Sequence, residues 1–340
     1  ALFNPAKKFV VQVAPAVRVA IGEEFGMSAG QIVTGRLTAG LRRLGFDAVF
    51  DTTFGADLTV MEESREIMER LKANENLPIL TSCCPGWINF IDHHFPSLKY
   101  MPSTCKSPQQ MTGAVAKSYY AKKMGIDPKD LVMVSVMPCI AKKYEAALPY
   151  QQVDGLADVD YVVTTRELAK MLKEGSVDLR YMPEEEFDNP LGMSTGAGVI
   201  FGSTGGVLEA ALRTVSELYT GKKLEDVNFL AVRGANGIRE AEVQVNGRTV
   251  RVAALSGLGN ARKVLEKIVK GEEHYDVIEI MACPGGCVNG GGQPYSRNRE
   301  EVVEQRMRGL YQIDRSLPIR KSHENPGVQQ LYQEFLGEPG

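Results

Sequence analysis

The chain has little that would tie it to a membrane, a nucleic acid or a histidine-bound metal. Its apolar runs are short, PILTSC and VMVSVM being typical, whereas a spanning helix needs about 20 apolar residues. No basic block stands out and the net charge is −3, which argues against a nucleic-acid surface. His93, His94, His274 and His323 all lie outside the motifs described below and are given no metal role. There is no internal repeat, no low-complexity stretch and no recognisable signal peptide. The first residue is Ala1 rather than Met, which leaves room for an upstream segment.

What is present is an ordinary globular composition with an unusual use of cysteine. The 340 residues are 44% hydrophobic and 24% charged, enough for one large or two ordinary cores. Six cysteines could form three disulfides, but a chain of this size needs no staples. The neighbours Cys83 and Cys84 also pair poorly with each other. Reduced thiols in a cytoplasmic or anaerobic setting fit better.

Five of the six cysteines sit in three segments: TSCCPGW (residues 81–87), MPCIAKKYE (137–145) and MACPGGCVNGGGQP (281–294). Each follows an apolar, β-branched run and contains Pro or Gly. Thiolates at rigid strand ends that turn into Gly-rich loops can hold an iron–sulfur cluster, and glycine lets backbone N–H groups approach it. A structural zinc site is the competing reading. Zinc ligands usually come as close C-x-x-C pairs, and here the nearest pair, Cys283 and Cys287, is separated by Pro-Gly-Gly. The glycines of GSTGG and GGCVNGGGQ do not follow the P-loop pattern.

Strand-like and helix-like runs alternate along the chain. KFVVQVA, DAVFDT, PILTSC, VMVSVM, DYVVTT, NFLAVRG and DVIEIMAC read as short strands. Helical periodicity covers about 29–44, 56–73, 166–173, 206–219 and 261–270. This predicts an α/β fold of two lobes, with mainly parallel sheets flanked by helices. EVQVNGRTVRV carries Asn246-Gly247 between alternating residues, a type I′ hairpin signal. Ligands of open parallel sheets bind at strand carboxyl ends, where all three cysteine motifs begin, so the site is expected in the cleft between lobes. Residues 1–296 read as the two-lobed body and 297–340 as a charged, initially helical belt around it.

The three cysteine segments resemble, almost letter for letter, the signatures of the iron–iron (FeFe) hydrogenases. VAPAVRVAIGE, ADLTVMEE, CKSPQQM, GVIFGSTGG and the SHENP tail resemble the same family, so the likeness covers nearly the whole chain. The resemblance implies reversible oxidation of H2 to two protons and two electrons. It also implies an H-cluster between the lobes: a 4Fe–4S cubane joined by a cysteine sulfur to a diiron unit with CO, cyanide and a bridging dithiolate. By the same resemblance Cys84, Cys139, Cys283 and Cys287 ligate the cubane, and Cys287 bridges to the diiron unit. Cys83 becomes the first proton carrier, followed by a water, Glu63, Ser103, Glu66 and Arg70. The spacing agrees, since Glu63, Glu66 and Arg70 share one helix face.

Lys142 is implied as a hydrogen-bond donor to a cyanide, with Ala14 and Pro15 in the second cyanide pocket. Met137, Met281, Pro138, Gln109, Phe201 and Gly202 complete the lining. Ala16 departs from relatives that carry Ser there, which removes a hydroxyl donor. Cys105 lies outside the ligand set and is left as packing. The implied partners are a ferredoxin-like electron donor or acceptor, or upstream Fe–S domains, together with maturation proteins for the diiron unit. The alternative is a non-catalytic or hydrogen-sensing iron–sulfur protein of the same fold.

Overall fold

The computed structural model describes residues 4–235, 237–245 and 247–340. Its strands, in chain order, are β1 (Lys8–Val13), β2 (Ala48–Asp51), β3 (Ile79–Leu80), β4 (Leu131–Met137), β5 (Gln152–Val153), β6 (Leu156–Ala157), β7 (Tyr161–Thr164), β8 (Gly237–Val245), β9 (Arg248–Ser256) and β10 (Val277–Met281). β2-β1-β4-β7 form one wholly parallel sheet. β3-β10-β9-β8 form the other, in which β8 alone runs antiparallel. β5 and β6 make a small antiparallel ribbon.

The strands carry near-continuous apolar runs because both faces of each sheet are covered. On β1, Phe9, Val11 and Val13 pack against Leu37, Leu41, Leu168 and Leu172. Val10, between them, faces Phe54, Leu58 and Val115 on the other side. In the second sheet Val252 and Ala254 face Leu208 and Val215, while Ala253 and Leu255 face Trp87, Val264 and Leu265.

The helix Thr52–Ala73 joins the lobes. Asp51 caps it by accepting from Thr53 N, and its 22 residues span about 33 Å. Its first turns put Phe54 and Leu58 on the first sheet. Its last turns put Ile67 and Leu71 on the second. Between them, Ala56 and Val60 meet Phe201 and Met281. One helix thus fixes the gap between two cores, and that gap is where the cysteine motifs arrive.

Two sequence readings need correction. NFLAVRG was expected to be a strand, but the structure has a 3-10 turn at Leu230–Val232. The slot beside β9 is taken by β8, and with Leu230 66% exposed the segment has no second face to bury. The helix expected from about residue 29 begins at Thr34, because Gly30 takes a left-handed φ of 78° and Val33 N bonds back to Arg18 O. The hairpin β8–β9 pairs Val245 with Arg248. Gly247 has φ of 79°, while Asn246, which carried half of the turn signal, lies outside the described residues.

Residues 297–340 run over both lobes. The helix Arg299–Ser316 sets Val303, Met307 and Leu310 against Ala16, Val19, Ile200 and Val288. Asp314 ties it down through Arg213 and Arg320. Further on, Ser322 and Asn325 donate to the buried carboxylate of Asp57 (2.7 and 2.8 Å). No helix among the described residues is long and apolar enough to cross a membrane.

Candidate metal centre

Each cysteine motif starts where a strand stops. Thr81 extends β3 through Thr81 N to Ile278 O. Cys84 then precedes the helix Pro85–His94, with proline at its first position, where a missing N–H does no harm. β4 ends at Met137 and β10 at Met281, so Cys139 and Cys283 emerge on the same side. Two glycines hold the third motif in place. A Cβ at Gly290 would lie 2.2 Å from Pro138 O, and one at Gly286 2.6 Å from Thr204 N, where Gly286 also has φ of 93°. Any side chain there would push the motif loops apart.

One cavity of about 70 Å³ collects the result. Cys83, Cys84, Cys139 and Cys287 line it, as do Ala14, Pro15, Gln109, Met137, Pro138, Lys142, Phe201, Gly202 and Met281. Cys283 does not line it, but its thiol and those of Cys84, Cys139 and Cys287 act on one another electrostatically. Burial pushes Cys283 up to about 12 and Cys287 well above the usual thiol range, neighbouring cysteines adding to both. Such thiols become thiolates only beside a strong positive charge such as a metal.

The spacing discriminates between metals. Four sulfurs around one zinc at about 2.3 Å would be about 3.8 Å apart. Among the described residues no three cysteines bring their sulfurs within 4.8 Å of one another. The group of three possible ligand residues found among the described residues is Glu217, His323 and Glu324, and Lys321 already bridges both carboxylates (2.9 and 2.8 Å). The cysteines are too far apart for a single ion and suit a cluster of several irons. Gln109 adds a second sign: it lines this cavity and its Oε1 is buried without a partner among the described residues.

From Cys83 the polar groups lead outward in two directions. On one side, Glu63 is 2% exposed. Burial, reinforced by the charge of Glu66, pushes Glu63 up to about 8. Ser103 Oγ donates to Glu66 Oε2 (2.7 Å), and Arg70 donates to Glu66 Oε1 (2.5 Å) and to Met101 O (3.0 Å). The Arg70 side chain is 13% exposed, so this row ends near the surface. Cys105, read as packing, is beside it: its Sγ is 3.8 Å from Glu66 Oε2. Burial and the charge of Glu63 raise its thiol far out of the reactive range.

On the other side is an arrangement the sequence reading missed. Lys142 Nζ donates to Glu145 Oε1 (3.0 Å), Glu145 Oε2 (2.9 Å) and Cys83 O (2.9 Å). Glu145 Oε2 also accepts from Ser107 Oγ and Gln109 Nε2 (3.0 Å each). Its signal was the three-residue spacing of Lys142 and Glu145 within MPCIAKKYE, which puts both on one face of the helix Ala141–Ala146. Glu145 and Ser107 border a second cavity of about 350 Å³ that Ser103 and Cys105 also line.

The description "Iron only hydrogenase large subunit, C-terminal domain" matches residues 7–291. The chain belongs to the iron-only hydrogenase family. A second description, "Iron hydrogenase small subunit", matches residues 300–340. The NADP-reducing hydrogenase subunit HndD of Solidesulfovibrio fructosivorans is 54% identical over the whole chain, and iron hydrogenase 1 of Clostridium pasteurianum 46%. The chain spans about three fifths of these relatives, 59% and 60% of their lengths. The apo [FeFe]-hydrogenase HydA1 from Chlamydomonas reinhardtii, solved as a variant, superposes with a TM-score of 0.87. It is 46% identical, across 100% of this chain and 92% of that one. The α/β architecture is therefore that of the iron-only hydrogenase catalytic domain.

Proposed function

We propose that this chain is the catalytic part of an enzyme that interconverts hydrogen with two protons and two electrons. The observation that carries the reading is the convergence of Cys84, Cys139 and Cys287 on a largely apolar cavity with a single lysine, with Cys283 beside them and the sulfurs too widely spaced for one ion. Cys84, Cys139, Cys283 and Cys287 would hold an H-cluster, which when bound supplies the redox chemistry and an open iron position for hydrogen.

The chain's own residues do the rest. Cys83 holds a proton at Sγ, since burial keeps it a thiol. Glu63, Ser103, Glu66 and Arg70 carry protons between that thiol and the surface, with a water between Cys83 and Glu63. Met137, Met281, Phe201 and Pro138 exclude water from the cavity. Ala14, Pro15 and Gly202 form its tight wall, where Ala16 offers no hydroxyl. Lys142 brings one positive charge, and Gln109 an amide oxygen.

Electrons need a second surface. We propose a ferredoxin-like carrier, or a preceding Fe–S segment of the same polypeptide, docking over Cys139 and Cys283. Ile140 and Tyr295 are exposed there (55% and 85%). Arg166 stacks on Tyr295 at 4.1 Å, and neither Arg166 nor Arg299 has a carboxylate partner among the described residues. The six free cysteines support a cytoplasmic location. The separate small-subunit match supports reading 297–340 as its own unit beside 1–296.

Iron content and infrared spectra test the reading. Protein made together with maturation proteins is expected to show CO and cyanide bands. Replacing Cys84, Cys139 or Cys283 by Ala is expected to remove or destabilise the bound iron. Full iron in all three variants would overturn the assignment. A sensor and an enzyme would share these signals, and sustained turnover with a reduced carrier separates them.

A further inference from the structure

The Lys142 ammonium meets three acceptors in this structure: both oxygens of Glu145 and Cys83 O. All three draw it to the edge of the cavity that it lines. The three acceptors are not equivalent. Glu145 Oε1 receives only Lys142, whereas Oε2 also receives Ser107 Oγ and Gln109 Nε2. If Lys142 withdraws from Oε2, that oxygen keeps two donors and stays satisfied. Withdrawal from Oε1 would strand a buried carboxylate oxygen, which is strongly unfavourable. The bond to Oε2 is thus the one that can be given up.

Glu145 itself touches none of the cavity-lining cysteine sulfurs and does not line the cavity. It reaches the cavity through two residues that line it, Lys142 and Gln109, and only Lys142 carries a charge. Its exposure is 5%, so little solvent screens the interaction.

We propose that Glu145 is the positioning residue for Lys142. It keeps the ammonium beside Cys83 through Oε1 and releases one hydrogen from Oε2 toward an anionic ligand of the bound cluster, a release made possible by Ser107 and Gln109. The inference rests on the hydrogenase reading above. It makes Ser107, which borders the outer cavity and not the inner one, a remote control on the charge presented to the cyanides.

The two residues are expected to act with opposite sign. Glu145→Gln removes the competing negative charge, so Lys142 donates more strongly inward. The cyanide stretching bands of the matured protein then move to higher wavenumber. Ser107→Ala takes a donor from Oε2, so Lys142 is held there more tightly and the bands move to lower wavenumber, by less. A purely structural role predicts no such opposition. The neutral pair Lys142→Gln with Glu145→Gln is expected to recover the melting temperature of the iron-free protein while leaving the bands insensitive to Ser107→Ala. It also serves if Glu145→Gln alone folds poorly. Unmoved bands in both single variants, or shifts in the same direction, overturn the proposal. If the unaltered protein shows no CO or cyanide bands at all, the hydrogenase reading is what has failed.

Discussion

Glu63 and Glu145 are the same residue type, both buried, and their partners suit them to different work. Glu145 has four donated hydrogen bonds and a paired ammonium. Glu63 has no ion pair among the described residues and is raised to about 8 by burial and by the charge of Glu66. The first is tied down by donors on both of its oxygens. The second changes charge near neutral pH, which is what a proton relay requires. Partners, rather than burial alone, separate the two.

The widest break in that comparison is at Cys83, which both sides share. Cys83→Ala removes the inner end of the proposed relay and leaves Lys142 its backbone acceptor, since the bond is to Cys83 O. Turnover is expected to fall by about 10²–10⁴-fold, with iron content and the CO bands retained. Loss of the bands would mean that Cys83 also holds the cluster in place.

Glu63→Gln comes next. It should lower turnover by about 10²-fold, far more than Glu145→Gln, and comparable losses in the two would erase the distinction. Stability gives an independent readout. The folded Glu63 titrates at about 8 against an ordinary 4.5, so the folded state binds more protons than the unfolded state between those values. Its contribution is complete below about 4.5 and lost as pH rises through about 8, a change of at most about 5 kcal/mol. Asp57 and Glu279, each raised to about 7 mainly by burial, add to the same decline. Urea unfolding at pH 5 and pH 8.5 should show a large difference for the unaltered protein and a smaller one for Glu63→Gln. Equal differences would place Glu63 in solvent.

The smallest effect belongs to Glu62, one residue from Glu63 but on another face. It accepts from the Tyr332 hydroxyl and from Gly340 N, tying the end of the chain to the relay helix. Glu62→Gln is expected to leave turnover within about twofold and to lower stability by about 1 kcal/mol. A strong loss of turnover would mean that protons leave by the other face.

Much of this was legible in the sequence. The strands that deliver the cysteines announce themselves as β-branched runs because both of their faces are buried. The motif cysteines stand out because Pro and Gly surround them. Helical spacing puts Glu63, Glu66 and Arg70 on one face, but spacing alone would suit a solvated surface, and the family resemblance is what singled them out. Other features depend on contacts far apart in sequence. Ser107 meets Glu145 across 38 positions, and Asp57 meets Asn325 across 268. NFLAVRG has the composition of a strand and was misread because its place in the sheet had gone to β8. Cys105 looked like packing because nothing local shows that Glu66 will lie beside it.

The backbone contact between Gly290 and Pro138 has a consequence for the protein's life history. It presses the second and third motif loops together with ordinary polypeptide, so the shape that receives iron is set by the fold. Small zinc domains are different, because they have no fold until the ion arrives. The iron-free polypeptide is therefore expected to fold first, with a cooperative melting transition of its own, and to take up its cluster afterwards.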